Sequence, residues 1–289
     1  HDIVTIDPRD SKDFDDGFSF NINKQVGTLS IYISNVSIWM DALDLWESFS
    51  NRIATIYLPD RKRPIPSSIL SDALCSLQEN RTRFAFTLDI TIDLQTFEII
   101  DTQFLNTAIR VRRNLRYDTE EQEQDKVYRK TFPIIQELNK RFKYVDSIST
   151  SHEFIAYIMI LMNYISAKEM KSHKIGIYRS AKYSKNFNPP DNISKEVQKF
   201  LKMWNSSGGS YVKYENISGH EILDLDAYVH ITSPIRRLVD LLNIIKFQET
   251  INIHKNEKAI QFYQRWTNDE AFEYINTTMR SIRKVQNDC

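Results

Sequence analysis

At 289 residues, with 41% hydrophobic and 12% aromatic side chains, the chain has ample material for a buried core. Six glycines and eight prolines argue against disorder or a repeat array, and no apolar run approaches the roughly 18 residues of a membrane span. Lys plus Arg equal Asp plus Glu at 38 each, which disfavours a module that coats nucleic acid by charge alone.

The first notable stretch runs from Thr5 to Gly17, where Asp7, Asp10, Asp13, Asp15 and Asp16 fall within ten residues between strand-like flanks. Such crowding is unfavourable unless a cation neutralises it, and carboxylate oxygens suit hard ions such as Mg²⁺ together with substrate phosphates. An EF-hand does not fit, because Lys12 and Phe14 would stand at ligand positions. The short phosphoaspartyl pattern fails at Asp16 and Gly17.

Next, Phe18 to Ile22 and Leu29 to Ser34 alternate as a hairpin around a turn at Gln25 to Thr28. Asp44 to Asn51 reads as a short helix, and Ala54 to Leu58 as a strand ending at Pro59. Arg61 to Pro66 is a basic, proline-punctuated extended loop. A second hairpin, Phe84 to Asp93 with Phe97 to Leu105, keeps the first 115 residues or so mainly strand. Thr119 to Phe142 then reads as one long charged helix, and Thr150 to Glu153 as a capping box opening a buried helix to about Met170. Asn192 to Trp204 reads as helix, Ser206 to Ser210 as a flexible loop, and Pro234 to Glu249 and Asn268 to Gln286 as helices. No Gly/Ser-rich linker separates strands from helices. The expectation is one mixed α+β (α/β) domain over residues 1–289, with helices packed around an N-terminal sheet.

A second constellation is Thr232-Ser233-Pro234-Ile235-Arg236-Arg237. Ser or Thr before Pro reads as a helix cap with proline at N1. Arg236 and Arg237 would then lie in the first turn, where cations oppose the helix dipole, which suggests an anion nearby. The bland alternative is a pair of surface arginines, one meeting Asp240. Arg179, Lys182 and Lys185, interleaved with Tyr178 and Tyr183, could line a groove that tracks a nucleic-acid backbone or form an ordinary basic loop.

Cys75 and Cys289 give neither a disulfide framework nor zinc spacing, so an intracellular setting is expected, the cytoplasm ahead of the nucleus. His1-Asp2-Ile3 lies directly against a strand, so the chain reads as a piece of something longer.

Taken together, these motifs resemble the catalytic domain of the ribonuclease II family of 3′→5′ exoribonucleases. Thr5-Ile6-Asp7 with Asp13-Phe14-Asp15-Asp16 matches that family's acidic motif, and Thr232 to Arg237 with Asp240 its TSPIRR motif. Tyr57-Leu58-Pro59, Leu70-Ser71, Leu74-Cys75-Ser76-Leu77 and Leu115-Arg116-Tyr117 match between them. The resemblance implies an RNB-type fold with a barrel-like antiparallel sheet, and a hydrolase releasing nucleoside 5′-monophosphates from single-stranded RNA. It implies Asp7, Asp13, Asp15 and Asp16 as catalytic acids holding two Mg²⁺, for which Mn²⁺ can substitute. Asp7, Asp13 and Asp16 would bind the tighter ion, and Asp15 the second ion or the attacking water. Asp10 would be a bystander. Arg236 would meet the scissile phosphate, and Tyr57, Tyr117 and Arg237 would contact RNA. No membrane partner is expected, while further RNA-binding modules in a parent protein are.

The chain also departs from the family. Ala156 and Tyr157 stand where a Glu pair is usual, with Glu153 one turn earlier as a possible substitute. Ile244 and Ile245 replace a His-Arg pair, and Leu238 an aromatic. A catalytically silent RNA-binding or scaffold protein of the same fold is the alternative; a generic metal phosphatase has only the acids in its favour.

Overall fold

The computed structural model describes residues 1–49, 51–58, 62–182 and 207–288. β1 (Ile3–Asp7), β2 (Asp16–Asn23), β3 (Val26–Ser34), β6 (Thr82–Asp93) and β7 (Ile99–Arg116) form a five-stranded ring. Neighbours pair antiparallel except β1, which meets β2 on one side and runs parallel to β7 on the other, closing the barrel. β3 is buried along nearly its whole length, because one face lines the barrel and the other meets helices. The first hairpin turns at Lys24 and Gln25, ahead of the expected Gln25 to Thr28: Asn23 pairs with Val26, and Lys24 takes a left-handed φ of 57°.

Between β3 and β6 lie α1 (Val36–Ala42), the paired two-residue strands β4 (Ile56–Tyr57) and β5 (Lys62–Arg63), and a π-helical turn over Leu70–Leu74. Among the described residues of Asp44 to Asn51 the expected helix is absent. Instead α1 precedes it, and Asp44 breaks the path with a φ of 52°. This lets Trp46 and Phe49 turn onto Phe262, each ring centroid 5.0 Å from it. Pro59 and Arg61 lie outside the described residues.

The long helix expected at Thr119 to Phe142 is two: α2 (Glu120–Gln124) and α3 (Lys126–Arg141). Asp125 between them is extended because its carboxylate caps α3, accepting from the Val127 amide at 2.8 Å, and takes Arg112 at 2.5 Å. α4 (Ser151–Ser172) begins with the expected capping box. β8 (Ile177–Lys182) pairs with β9 (Ser207–Lys213), so Ser207 to Ser210 are strand rather than loop. The helix expected at Asn192 to Trp204 lies outside the described residues. α5 (Leu238–Thr250), α6 (Glu257–Thr267) and α7 (Asp269–Asp288) follow, α6 having been missed by sequence reading.

One core cluster joins the barrel to α3, α4 and α5. Phe18 meets Phe154 edge-on at 5.2 Å, and Phe86 meets Phe247 at 5.6 Å. A second cluster unites α5, α6 and α7 with Trp46 and Ile53. Among the described residues no helix is long and apolar enough to cross a membrane.

Candidate active site

The acidic stretch leaves the barrel at the end of β1 and returns at the start of β2, so its middle has no ladder to hold it. Ser76 supplies the missing bonds: its hydroxyl accepts the Phe14 amide at 3.1 Å and donates to the Lys12 carbonyl at 2.7 Å. The Leu77 amide donates to the Phe14 carbonyl at 3.0 Å. Phe14 is buried under the Arg116 guanidinium, 5.2 Å from its ring centre. Gly17 matters here, since a Cβ would press to 3.0 Å from the Val4 carbonyl on β1. The Cys75–Ser76–Leu77 segment is thus a brace for the acids. Sequence reading saw it only as a motif.

The acids line an open cavity of about 920 Å³ together with Tyr57, Lys62, Asp72 and Arg236. Asp15 is the most deeply placed, 4% exposed. One of its oxygens accepts the Ile235 amide at 2.9 Å; the other lies 3.3 Å from Arg236 Nε but accepts no hydrogen bond. Asp7 also keeps a buried oxygen without a hydrogen-bond partner. Burial pushes the Asp15 carboxyl up to about 7, against the pull of Arg236 and the Ile235 amide. Asp7 and Asp16 rise for the same first reason, and each is raised further by neighbouring carboxylates. Asp13 gives one oxygen to the Tyr57 hydroxyl at 3.0 Å and the other to Lys62 Nζ at 3.1 Å. Asp10 lies on the exposed rim.

The Thr232 to Arg237 segment is not a helix start. α5 begins at Leu238 with Arg237 as its N-cap residue, because Asp240 reaches back to take the Ser233 amide at 2.7 Å. Residues 234–236 instead form a turn, the Arg236 and Arg237 amides donating to the Ser233 carbonyl at 3.1 and 2.9 Å, and the Thr55 amide donates to the Arg236 carbonyl at 2.9 Å. Neither arginine therefore sits in the first helical turn. Arg236, 46% exposed, faces the acids. Arg237 turns inward to Asp240 at 2.8 Å. Its side chain, 20% exposed, also lines a smaller cavity beside Tyr57 and Arg236.

The structure also withdraws Arg179 from the expected groove. It is buried, donates to the Gly209 carbonyl and lies over the Tyr211 ring. Tyr178 is likewise buried. Lys182 ends β8, and Tyr183 and Lys185 lie outside the described residues. Tyr57 is exposed at the cavity mouth. Tyr117 donates its amide to the Asp7 carbonyl at 3.2 Å and stacks on His152, centroids 3.9 Å apart. Burial, then Asp16 and Asp7, keep its phenol protonated. Glu153 does not replace the missing Glu pair: it is spent on Ser149 and Thr150, whose donors hold it down at about 2. Ala156 is exposed, while Tyr157, Leu238 and Ile244 are core residues.

The described acids, histidines and cysteines include no trio already gathered around one point at ligand geometry. The fit to a divalent ion is one of donor chemistry: hard oxygens, two of them buried without a hydrogen bond, whose mutual repulsion a cation would relieve.

The sequence profile of the RNB domain matches residues 1–145. The chain belongs to the RNB domain family. Among curated RNB relatives, ribonuclease R of Mycoplasmopsis pulmonis is 34% identical over 117 residues, covering 40% of this chain and 16% of that protein. The fold matches Mycoplasma genitalium ribonuclease R in complex with ribose-methylated single-stranded RNA, with a TM-score of 0.77 and 17% identity over 99% of this chain and 56% of that one. It also matches yeast Ssd1, described as a pseudonuclease, with a TM-score of 0.72 and 12% identity over 95% of this chain and 41% of that one. At those identities the likeness is one of fold. This RNB chain spans well under two thirds of each of these proteins.

Proposed function

We propose that this chain is a metal-dependent 3′→5′ exoribonuclease that hydrolyses single-stranded RNA to nucleoside 5′-monophosphates. The observation that carries the reading is the meeting of Asp7, Asp15 and Asp16 with Arg236, from two motifs over two hundred residues apart, in one open cavity. Raised carboxyl affinities for protons and buried oxygens without a hydrogen bond support the reading of a cation and an anionic ligand here. Asp7, Asp13, Asp15 and Asp16 would hold Mg²⁺ or Mn²⁺, which supplies charge for the phosphate and a more acidic water. Arg236 offsets negative charge growing on the phosphate. The Ile235 amide fixes the Asp15 carboxylate in place. Tyr57, anchored on Asp13, offers a ring at the mouth on which a base can stack.

A 3′-labelled single strand incubated with Mg²⁺ should release labelled 5′-monophosphate, and EDTA should stop it. A second reading is an RNA-binding protein without turnover. It is favoured by the loss of the Glu pair at Ala156 and Tyr157, and by the fold shared with a pseudonuclease. Tight RNA binding with no product at any Mg²⁺ or Mn²⁺ concentration would decide for it.

A further inference from the structure

The four acids are not equivalent. Asp7 keeps an oxygen without a hydrogen bond and Asp15 one that meets only the Arg236 guanidinium at 3.3 Å, whereas Asp13 has both oxygens taken, by the Tyr57 hydroxyl and by the Lys62 ammonium. This follows from the register of the small ribbon above the cavity, in which Tyr57 and Lys62 are cross-strand partners. Lys62 is also shared. Its ammonium lies 3.1 Å from Asp13 and 2.6 Å from Asp72, with all three side chains lining the cavity. Asp72 stands in the π-helical turn and is itself held by the Ser71 hydroxyl at 2.5 Å.

One carboxylate oxygen cannot serve both an ammonium at this distance and a divalent ion at roughly 2 Å without strong repulsion between the two cations. Asp72 gives the ammonium somewhere to go, since it already makes the shorter of the two contacts. We infer that Lys62 is a built-in competitor for the divalent cation at Asp13, and that the Asp13–Lys62–Asp72 array sets the cation concentration at which the site loads. The inference rests on the metal-dependent reading of the cavity. It adds a control element that the acidic motif does not contain.

The test is Mn²⁺ binding to the whole chain, followed by the electron paramagnetic resonance signal of free Mn²⁺, with no RNA present. Lys62→Met should bind Mn²⁺ about fivefold tighter than the native chain, the scale of one partly exposed ion pair. Lys62→Arg, which keeps the charge, should stay near the native value. In an Asp13→Asn background the gain from Lys62→Met should vanish, because the contested carboxylate is gone. Thermal unfolding of each variant checks that the fold is kept.

Equal or weaker binding by Lys62→Met overturns the inference. So does a gain that persists undiminished with Asp13→Asn, which would make Lys62 a diffuse charge only. Binding that is lost in Asp7→Asn but untouched in Lys62→Met removes the role of Lys62 and spares the metal site. A native chain that takes up no Mn²⁺ removes both.

Discussion

Arg236 and Arg237 are chain neighbours and each meets one aspartate, yet the two pairs live in different surroundings. Arg236 reaches Asp15 at 3.3 Å, with its own side chain 46% exposed to the cavity. Arg237 reaches Asp240 at 2.8 Å, with the carboxylate fully buried. The first pair is loose and open to an outside ligand. The second is closed, and its carboxylate also fixes the Ser233 amide that precedes α5. Two identical residue types one position apart thus divide into one that faces the cavity and one that pairs with the carboxylate bracing the start of α5. What separates them is the backbone: Arg236 closes a turn on the Ser233 carbonyl, whereas Arg237 is extended and bridges Ala54 at the start of α5.

The comparison can be broken in several ways. Asp15→Asn should cut RNA turnover by at least about a thousandfold while RNA binding stays within a few-fold, as read by product release and by filter binding. Asp240→Asn should instead act on the fold, leaving a buried guanidinium without its counter-charge at a cost of about 3–5 kcal/mol in urea unfolding. An Asp240→Leu, Arg237→Met double variant should recover much of that loss. Arg236→Ala should lower turnover by about a hundredfold with little change in the unfolding midpoint. If Arg236→Ala unfolds the chain and Asp240→Asn leaves it stable, the division of roles proposed for the two pairs is reversed.

The cavity also makes a statement about pH. The raised carboxyls of Asp7, Asp15 and Asp16 keep protons in the folded chain that the unfolded chain gives up at its ordinary carboxylate pKa near 4. Unfolding therefore releases protons between the ordinary value and about 7, and stability falls as pH rises through that window. The melting temperature in EDTA should drop by roughly 5 °C from about pH 5 to about pH 8. Added Mn²⁺ should cancel the drop, and Asp15→Asn should reduce it, leaving the share of Asp7 and Asp16. The smallest effect belongs to the capping box of α4. Thr150→Ala should cost about 1 kcal/mol, and Glu153→Gln should leave turnover unchanged, because Glu153 serves the helix end.

Much of the barrel was readable because its signals are local. Alternation in Phe18 to Ile22 and Leu29 to Ser34 marks a hairpin whichever sheet it joins, and Thr150 to Glu153 marks a helix start by its own hydrogen bonds. The misreadings share a different cause. The long helix after Thr119 was split by Asp125, whose partner Arg112 lies on β7. The expected cap at Thr232 was displaced by Asp240, which takes the Ser233 amide, and by Ile53 to Thr55, which bond Arg236 and Leu238. Arg179 looked like part of a basic groove until β9 covered it. In each case a contact from elsewhere in the chain outweighed a local preference.

The sequence by itself determined the elements and the acid set: five carboxylates between two strands, a hairpin behind them, and a distant arginine motif. Spacing and hydrophobic period carry that information because they depend only on neighbours along the chain. Only the tertiary structure decided which carboxylate oxygens lack a hydrogen bond, which arginine faces the cavity, and that Lys62 and Tyr57 each hold one oxygen of Asp13. Burial and charge pairing act through space, so closing the barrel and laying the Tyr57–Lys62 ribbon over its mouth were needed to turn a row of aspartates into a site.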